Sequence, residues 1–362
     1  MSNTAASNRL RALSQIFSPR LNVAQERHEQ VIFYEQPTNS TMTSSIVTDT
    51  SKYKLNHSMI RVKDPNASIK FYEFLGMTLV KKLEFPDNKF DLYFLGFDTP
   101  GAASHGKSTF DRQGLVELTH NYGTEHDPEY KVNNGNMELH NGFSYICLSV
   151  DFLEAACQRL EDEGYKFQHR LADAASKEFA TAMDPDGYWV RLISQHHGTA
   201  QEATNTDVSS YRMSHTMLRV KDANKSIEYY EKILGLTLLK TIEDSDRGYS
   251  LFLLGYTSSV NIPAGDEIGG LEGLLGLTWE HGTENRSDFH YHNGNEQPQG
   301  FGHLCISVDH LGPACQRFES LGVEWKKRLT DGRMKNVAFL LDPDGYWIEV
   351  VQNEAYTGVE NF

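Results

Sequence analysis

The chain has 362 residues, a formal net charge of −15 at pH 7 and a sequence pI near 5.4. This length is enough for two domains, each with its own core. The acidic balance argues against nucleic acid or an anionic membrane surface as a partner, and the sequence has no apolar run long enough to span a membrane.

Residues 1–52 form an extension that does not take part in the internal repeat of the chain. Arg9, Arg11 and Arg20 all precede the first acidic residue, Glu26, and such a composition is typical of mitochondrial presequences. We favour a disordered polar extension and a cytoplasmic protein, with mitochondrial targeting as the alternative.

A first half-unit follows, and its pattern predicts one helix among four strands. Asp64 and Pro65 suit the N-cap and first position of a helix that continues to about residue 75. Alternating or apolar runs predict strands at residues 57–62, 78–83, 90–95 and 115–119.

A second half-unit repeats the same order. A strand at residues 144–150 leads into a helix at 151–163, and Gly164 then ends the helix. The last two strands flank Asp184-Pro185-Asp186-Gly187, where the positions of Pro and Gly suit a type I turn. Each half-unit is therefore predicted to be a βαβββ module.

The whole two-module unit occurs twice. The stretch "HSMIRVKDPNASIKFYEFLG" at His57 returns as "HTMLRVKDANKSIEYYEKILG" at His215, and "DPDGYW" occurs at Asp184 and Asp342. We therefore divide the chain into an extension (1–52), a first domain (53–195), a linker (196–210), a second domain (211–354) and a tail (355–362). The four cysteines repeat as well and lack CxxC spacing, which favours buried reduced thiols.

Several strands carry an ionisable residue among apolar ones. In "GYWIEVV" the alternation places Glu349 on the same face as Trp347, and "LVELTHN" treats Glu117 in the same way. His57 and His303 stand at strand starts. Taken singly, each is explained as well by an ion pair or a core position, but two imidazoles and two carboxylates together can bind a divalent cation.

Four separate motifs, "TMLRVKD", "VELTHNYGTE", "FHYHNGNEQPQGFGH" and "DPDGYWIE", resemble the glyoxalase I (lactoylglutathione lyase) family of the vicinal oxygen chelate superfamily. The resemblance extends from about residue 53 to residue 352. It implies an α+β fold in which four βαβββ modules pair into two domains with curved mixed sheets.

The resemblance also implies the metal ligands, because each site in that family combines two residues from one domain's first module with two from the other domain's second module. Pairing the first module with the fourth gives a complete set: His57, Glu117, His303 and Glu349. The other pairing gives a degenerate second site: Tyr145, Arg191, His215 and Gly276. Arg191 carries positive charge and offers no lone pair to a metal.

Further positions follow from the same resemblance. The residues expected to hold glutathione, or to add positive charge near it, are Arg61, Asn121, Lys327, Arg333, Met334 and Lys335. Those expected to pack the methyl group of the aldehyde are Leu92 and Phe94. At the degenerate site the positions that match the glutathione contacts are Arg219, Glu280, His169 and Ser176.

The implied reaction is the isomerisation of the glutathione–methylglyoxal hemithioacetal to S-D-lactoylglutathione. Glu349 is the expected base, and Glu117 would serve the second epimer. One divalent metal is expected per chain, Zn²⁺ before Ni²⁺, with glutathione as cosubstrate. We also expect a monomer without nucleic-acid or membrane partners. The alternatives are an extradiol dioxygenase of the same superfamily and a catalytically silent protein that binds glutathione or a metal.

Overall fold

The computed structural model describes residues 47–173, 178–195, 204–256 and 270–362. Most of the predicted extension and residues 196–203 of the predicted linker lie outside these ranges. Within them, no helix combines the length and apolarity needed to cross a membrane.

The first half of the chain contains two modules of the predicted βαβββ order. The elements of module 1 are β1 (Lys54–Val62), α1 (Pro65–Phe74), β2 (Thr78–Phe85), β3 (Phe90–Gly96) and β4 (Leu115–Asn121). The elements of module 2 are β5 (Phe143–Val150), α2 (Leu153–Asp162), β6 (Phe167–His169), β7 (Phe179–Met183) and β8 (Trp189–Ser194). As predicted, the Asp64 side chain caps α1, accepting a hydrogen bond from the backbone N–H of Asn66.

The second half repeats the order. The elements of module 3 are β9 (Arg212–Val220), α3 (Ala223–Lys232), β10 (Thr237–Asp244), β11 (Tyr249–Gly255) and β12 (Leu274–Glu280). The elements of module 4 are β13 (Phe301–Val308), α4 (Leu311–Ser320), β14 (Glu324–Lys327), β15 (Val337–Leu341) and β16 (Trp347–Gln352), followed by a short helix α5 (Glu354–Thr357). The prediction of four βαβββ modules in an α+β fold is confirmed.

The modules join into two mixed sheets of eight strands, each containing one module from each repeat. The first sheet has the order β14-β15-β16-β13-β1-β4-β3-β2, which unites modules 4 and 1. The second has the order β10-β11-β12-β9-β5-β8-β7-β6, which unites modules 3 and 2. At the centre of the first sheet β1 runs antiparallel to β13 and parallel to β4. Each contiguous repeat is therefore divided between both sheets.

A single buried apolar cluster extends through all four modules and includes Phe71, Leu148, Tyr230 and Phe318. Hydrogen bonds at the ends of the modules reinforce it, since Tyr72 of α1 donates to Asp184 in the turn of module 2. Two smaller apolar clusters lie apart from it, one containing Phe94 and Cys305 and the other Tyr145 and Cys147. These smaller clusters surround the two predicted centres.

Candidate metal centre and substrate pocket

The first sheet brings together the four predicted metal ligands, one from each of its central strands β16, β13, β1 and β4: His57, Glu117, His303 and Glu349. Met59 of β1 lies opposite two of them, and Cys305 of β13 lies opposite the other two. Residues paired in this way share one face of a sheet. Each of the four offers one ligand atom, and these atoms all lie within 4.8 Å of one another.

The orientation of His57 is fixed from behind. Its Nδ1 lies 2.7 Å from Oδ1 of Asn56, while the amide nitrogen of Asn56 donates to the backbone carbonyls of Thr109 (3.0 Å) and Arg112 (2.8 Å). Because the amide nitrogen already donates to these carbonyls, Oδ1 is the atom that faces His57, and it accepts a hydrogen bond from the Nδ1–H of the imidazole. The lone pair then lies on Nε2, which faces the centre as a metal ligand requires.

The carboxylates meet this nitrogen closely. Nε2 of His57 lies 3.0 Å from Oε2 of Glu117 and 3.3 Å from Oε2 of Glu349, and the other oxygen of Glu117 accepts a hydrogen bond from the Thr119 hydroxyl at 2.9 Å. Burying two carboxylates without a positive charge would be costly. Two nitrogens and two oxygens within a few ångströms suit a divalent cation such as zinc, so the residues present fit the metal that the resemblance implies.

The electrostatics of the centre favour positive charge. Burial opposes protonation of His57, but its contacts with Cys305 and with the two carboxylates raise its pKa well above the ordinary value. Burial likewise opposes ionisation of Glu349, yet His303 and His57 hold its pKa well below the ordinary range. A cation would replace the imidazole protons. Burial raises the pKa of the Cys305 thiol to about 12, so this group stays neutral.

A pocket with mainly apolar walls opens over three of these ligands, Glu117, His303 and Glu349. Four of the residues predicted to contact substrate line it: Arg61, Leu92, Lys327 and Met334. Wall residues that sequence reasoning missed are Phe85, Phe90, Asn295, Val337, Phe339 and Phe362. Phe339 lies opposite Glu349 in the register of β15 and β16, a pairing that the uniformly apolar stretch "VAFLL" does not indicate. Phe362 belongs to the tail, where no pattern indicates it.

Four other predicted substrate residues do not belong to this wall. Phe94 lies behind the centre, its ring edge-to-face with that of His57 at 5.3 Å. Asn121 is half-buried at the end of β4, and Arg333 and Lys335 are exposed on the loop between β14 and β15. The pocket thus contains about half of the substrate contacts expected from the sequence.

The two buried cations of the pocket also hold backbone. Lys327 donates from Nζ to the carbonyls of Met334 (2.7 Å) and Val337 (2.6 Å), which shapes the loop between β14 and β15. Arg61 donates to backbone carbonyls just before and at the start of β13 and to Oδ1 of Asn295. Arg219 makes the matching contacts in the second sheet, so this use of arginine belongs to both halves of the fold.

The predicted tail closes one side of the pocket. Asn361 donates from its side chain to the carbonyl of Gln352 (2.6 Å) and from its backbone to Oε1 of Glu354 (3.2 Å). These bonds place the ring of Phe362 at 5.6 Å from that of Phe110, and Phe110 in turn packs against His57 at 6.5 Å. The tail is therefore in contact with the surroundings of the predicted metal ligands.

The second sheet places the residues of the predicted degenerate site at the equivalent register positions: Tyr145, Arg191, His215 and Gly276. Met217 lies opposite the first and last of these, and Cys147 lies opposite the other two. Where the first centre has a glutamate, Gly276 has no side chain, and a Cβ there would lie 2.6 Å from the terminal carbon of Met217. Of the matching glutathione positions, Glu280 is exposed and Ser176 lies outside the described residues.

Comparisons with known proteins agree with this architecture. The sequence model of the Glyoxalase/Bleomycin resistance protein/Dioxygenase superfamily matches residues 54–192 and 212–350. The chain is 46% identical over 309 residues to a lactoylglutathione lyase of Schizosaccharomyces pombe, covering 85% of this chain and 99% of that protein. It is 45% identical over 304 residues to a glyoxalase I of Saccharomyces cerevisiae, covering 82% of this chain and 91% of that one.

Among solved structures, glyoxalase I from Zea mays is similar with a TM-score of 0.61 and 26% identity, covering 84% of this chain and 94% of that chain. The resemblance inferred from the four motifs is thereby confirmed. A match to the family in each repeat, together with relatives of this similarity over most of the sequence, shows that the chain belongs to the Glyoxalase/Bleomycin resistance protein/Dioxygenase superfamily.

Proposed function

We propose that the chain is a lactoylglutathione lyase, which converts the hemithioacetal of glutathione and methylglyoxal to S-D-lactoylglutathione at one active site, the first centre. The observation that carries this proposal is the convergence of two imidazoles and two carboxylates, within 4.8 Å, beneath an apolar pocket. The names of the relatives, lactoylglutathione lyase and glyoxalase I, support the same reaction.

His57, Glu117, His303 and Glu349 would hold one divalent cation, for which we favour zinc over nickel. When bound, the cation would polarise the two oxygens of the hemithioacetal and make its C1 proton more acidic. The buried setting would strengthen this effect, because charges interact more strongly in a pocket from which water is excluded.

Glu349 is assigned as the base that takes the proton from C1 and returns it to C2. Its side chain is 12% exposed, compared with 4% for Glu117, so its carboxylate is the more accessible from the pocket. One oxygen of Glu117 is also held by the Thr119 hydroxyl, which restrains it as a ligand. A base must be able to move to the reacting carbon, which favours Glu349. Glu117 is assigned as the base for the second epimer of the hemithioacetal.

The rest of the pocket binds and orients the substrate. Leu92, near the aromatic wall, would pack the methyl group, with Phe94 behind it, and this wall would exclude water from the reacting carbons. Arg61 and Lys327 would place positive charge near the carboxylates of glutathione. Asn121, Met334, Arg333 and Lys335 complete the proposed contacts, three of them from the pocket rim.

The test combines metal analysis with turnover. Zinc or nickel is expected at one ion per chain, and thioester absorbance should rise when methylglyoxal and glutathione are supplied together. A chelator should remove the activity, and zinc or nickel added under nitrogen should restore it. Metal binding without thioester formation would identify a silent binding protein, and recovery with iron and oxygen alone would identify a dioxygenase.

We further propose that the protein works as a monomer, because both halves of the sheet that carries the site come from one chain. Light scattering should give a mass near 41.0 kDa, and a stable mass of twice that value would contradict the proposal. We also propose a cytoplasmic location, with mitochondrial targeting as the alternative. Cell fractionation tests it.

A further inference from the structure

The second centre contains charged and polar groups without a carboxylate among its four defining residues. The Arg191 guanidinium lies between the rings of Tyr145 and Phe179, at 3.9 and 4.0 Å from their centroids. Its Nη1 donates to the Tyr145 hydroxyl at 2.9 Å. Within the described residues no ion pair is formed by Arg191, so its positive charge is balanced there only by aromatic faces.

Two buried nitrogens at this centre have no hydrogen-bond partner among the described residues: Nε of Arg191 and Nε2 of His215. His215 is 6% exposed, and its Nδ1 lies 3.0 Å from the Ser214 hydroxyl. The Ser214 hydroxyl can donate to Nδ1, and in that tautomer the neutral ring carries its proton on Nε2. A buried donor without an acceptor costs about 1 to 3 kcal/mol, so two of them in one cluster call for an acceptor.

The first centre indicates where these donors point. Arg191 and His215 both lie opposite Cys147, as Glu349 and His57 both lie opposite Cys305. In the first centre, Nε2 of His57 faces the point where the ligand atoms meet. The Nε2 atom of His215 therefore faces the corresponding point in the second sheet.

Gly276 contributes no side chain at that point, and neighbouring side chains fill the place of its Cβ, so room for a ligand depends on their movement. The neighbour that a Cβ would meet first is the flexible end of Met217, and a thioether side chain of this kind rearranges at low cost. Burial and the charge of Arg191 lower the pKa of His215 to about 3, so the ring is neutral near pH 7. The centre then has one uncompensated positive charge and two donors.

We propose that the second centre binds a small monovalent anion, a carboxylate or a halide, between Nε of Arg191 and Nε2 of His215. The replacement of a metal-binding glutamate by Arg191 inverts the charge of the site, and its ligand changes from a cation to an anion. An anion of one charge neutralises the guanidinium and accepts both free N–H groups, which a water molecule does only in part.

The test measures thermal unfolding of the zinc-loaded full chain during separate titrations with sodium acetate and sodium bromide. Wild type is expected to show a saturable rise in Tm of about 2 to 5 °C. Arg191→Gln is the matched control, because it removes the charge and the Nε donor while leaving the first centre intact. Anion binding at the first metal, and general salt effects, are common to both proteins and cancel in the difference.

A crystal of the wild-type protein grown in bromide gives a second readout that needs no variant. Anomalous scattering should show a bromide between Arg191 and His215. A rise with acetate alone identifies a carboxylate site and a rise with bromide alone a halide site, and either supports the proposal. Equal Tm responses in wild type and Arg191→Gln would overturn the proposal. So would a failure of both acetate and bromide to raise Tm. A map without an anion between Arg191 and His215, from a crystal at a bromide concentration that saturates the rise in Tm, would also overturn it.

Discussion

The two centres have the same strand-pairing register and differ in the side chains that occupy it. In each, one residue of the central strand pair lies opposite two positions and a cysteine lies opposite the other two. The first centre presents two imidazoles and two carboxylates, whereas the second presents a phenol, a guanidinium, an imidazole and a bare glycine. Four positions therefore decide whether the same sheet face attracts a cation or repels it.

The difference in side chains between the two centres follows the division into sheets and not the division into sequence repeats. His57 and Glu117 come from the first repeat, and His303 and Glu349 come from the second. Each repeat thus contributes half of one centre and half of the other. Contacts that support the fold remain in both sheets, since Arg61 and Arg219 make equivalent bonds to backbone carbonyls.

The largest expected effect separates the two centres by catalysis. Glu349→Gln should lower kcat by roughly 10² to 10⁴-fold, because an amide cannot take up the proton, while much of the bound metal is retained. Arg191→Gln, the change at the equivalent position of the second centre, should leave kcat within about twofold. Steady-state assays with metal analysis of both variants test this, and near-normal turnover by Glu349→Gln would remove Glu349 from the role of base.

Metal binding should show the same asymmetry. Glu117→Ala removes a buried carboxylate that we propose as a metal ligand. It should weaken zinc affinity by at least the roughly ten- to hundredfold that loss of an outer-shell partner costs, although the other glutamate lies in the opposite repeat. His215→Ala should leave both affinity and stoichiometry unchanged at one zinc per chain. Two metals in wild type, or a loss in His215→Ala as severe as in His57→Ala, would show that the second centre binds metal after all.

Stability should respond to pH with opposite sign at the two histidines. The pKa of His215 is lowered in the folded protein, so its contribution is present above the unfolded value of about 6.5 and is lost as pH falls below it. His215→Gln removes this term, so wild type should lose about 1.4 kcal/mol more than the variant between pH 7.5 and 5.5. Denaturant unfolding in sulfonate buffers, free of halide and carboxylate, measures the difference.

The metal-free first centre provides the matched contrast. The pKa of His57 is raised in the folded protein, so its stabilising contribution is present below the unfolded value and is lost as pH rises through the folded one. His57→Gln, compared with metal-free wild type, should therefore remove a term that weakens with rising pH. Parallel pH trends for the two glutamine variants would contradict the assignment of opposite electrostatics to the two centres.

The smallest expected effect concerns the tail, which contacts the first centre. Phe362→Ala should open the pocket wall beside Phe110 and raise KM by about fivefold, equivalent to roughly 1 kcal/mol of lost apolar contact, with kcat little changed. Val359→Ala alters an exposed tail residue and serves as the control. Equal KM values for both variants would show that the ring does not contact the substrate.

Local patterns were enough to predict the modules, because a capped helix between alternating strands depends on neighbours in sequence. The Asp64 cap and the strands around it are examples. Which modules share a sheet depends on contacts between distant residues, so the union of His57 with His303 could be inferred only through resemblance.

The wall of the pocket was harder to predict than the modules. Phe362 and Asn295 line the pocket because the tail and a loop reach it, and neither residue lies in a periodic sequence pattern. Asn121 shows the reverse, a motif residue that the register leaves at the rim.

The order of the sheets has a consequence for how the protein is made. The second sheet uses the continuous middle of the chain, β5 to β12, whereas the first needs both its beginning and its end. His57 and His303 are 246 residues apart, so on the ribosome β1 waits about 10 to 50 seconds for β13 at ordinary synthesis rates. During that time the backbone groups of β1 that will pair with β13 are unpaired, and such an exposed strand edge is prone to aggregation. We expect the middle sheet to form first and to act as the platform on which the ends of the chain close. The half without the proposed metal ligands would then assist folding during synthesis.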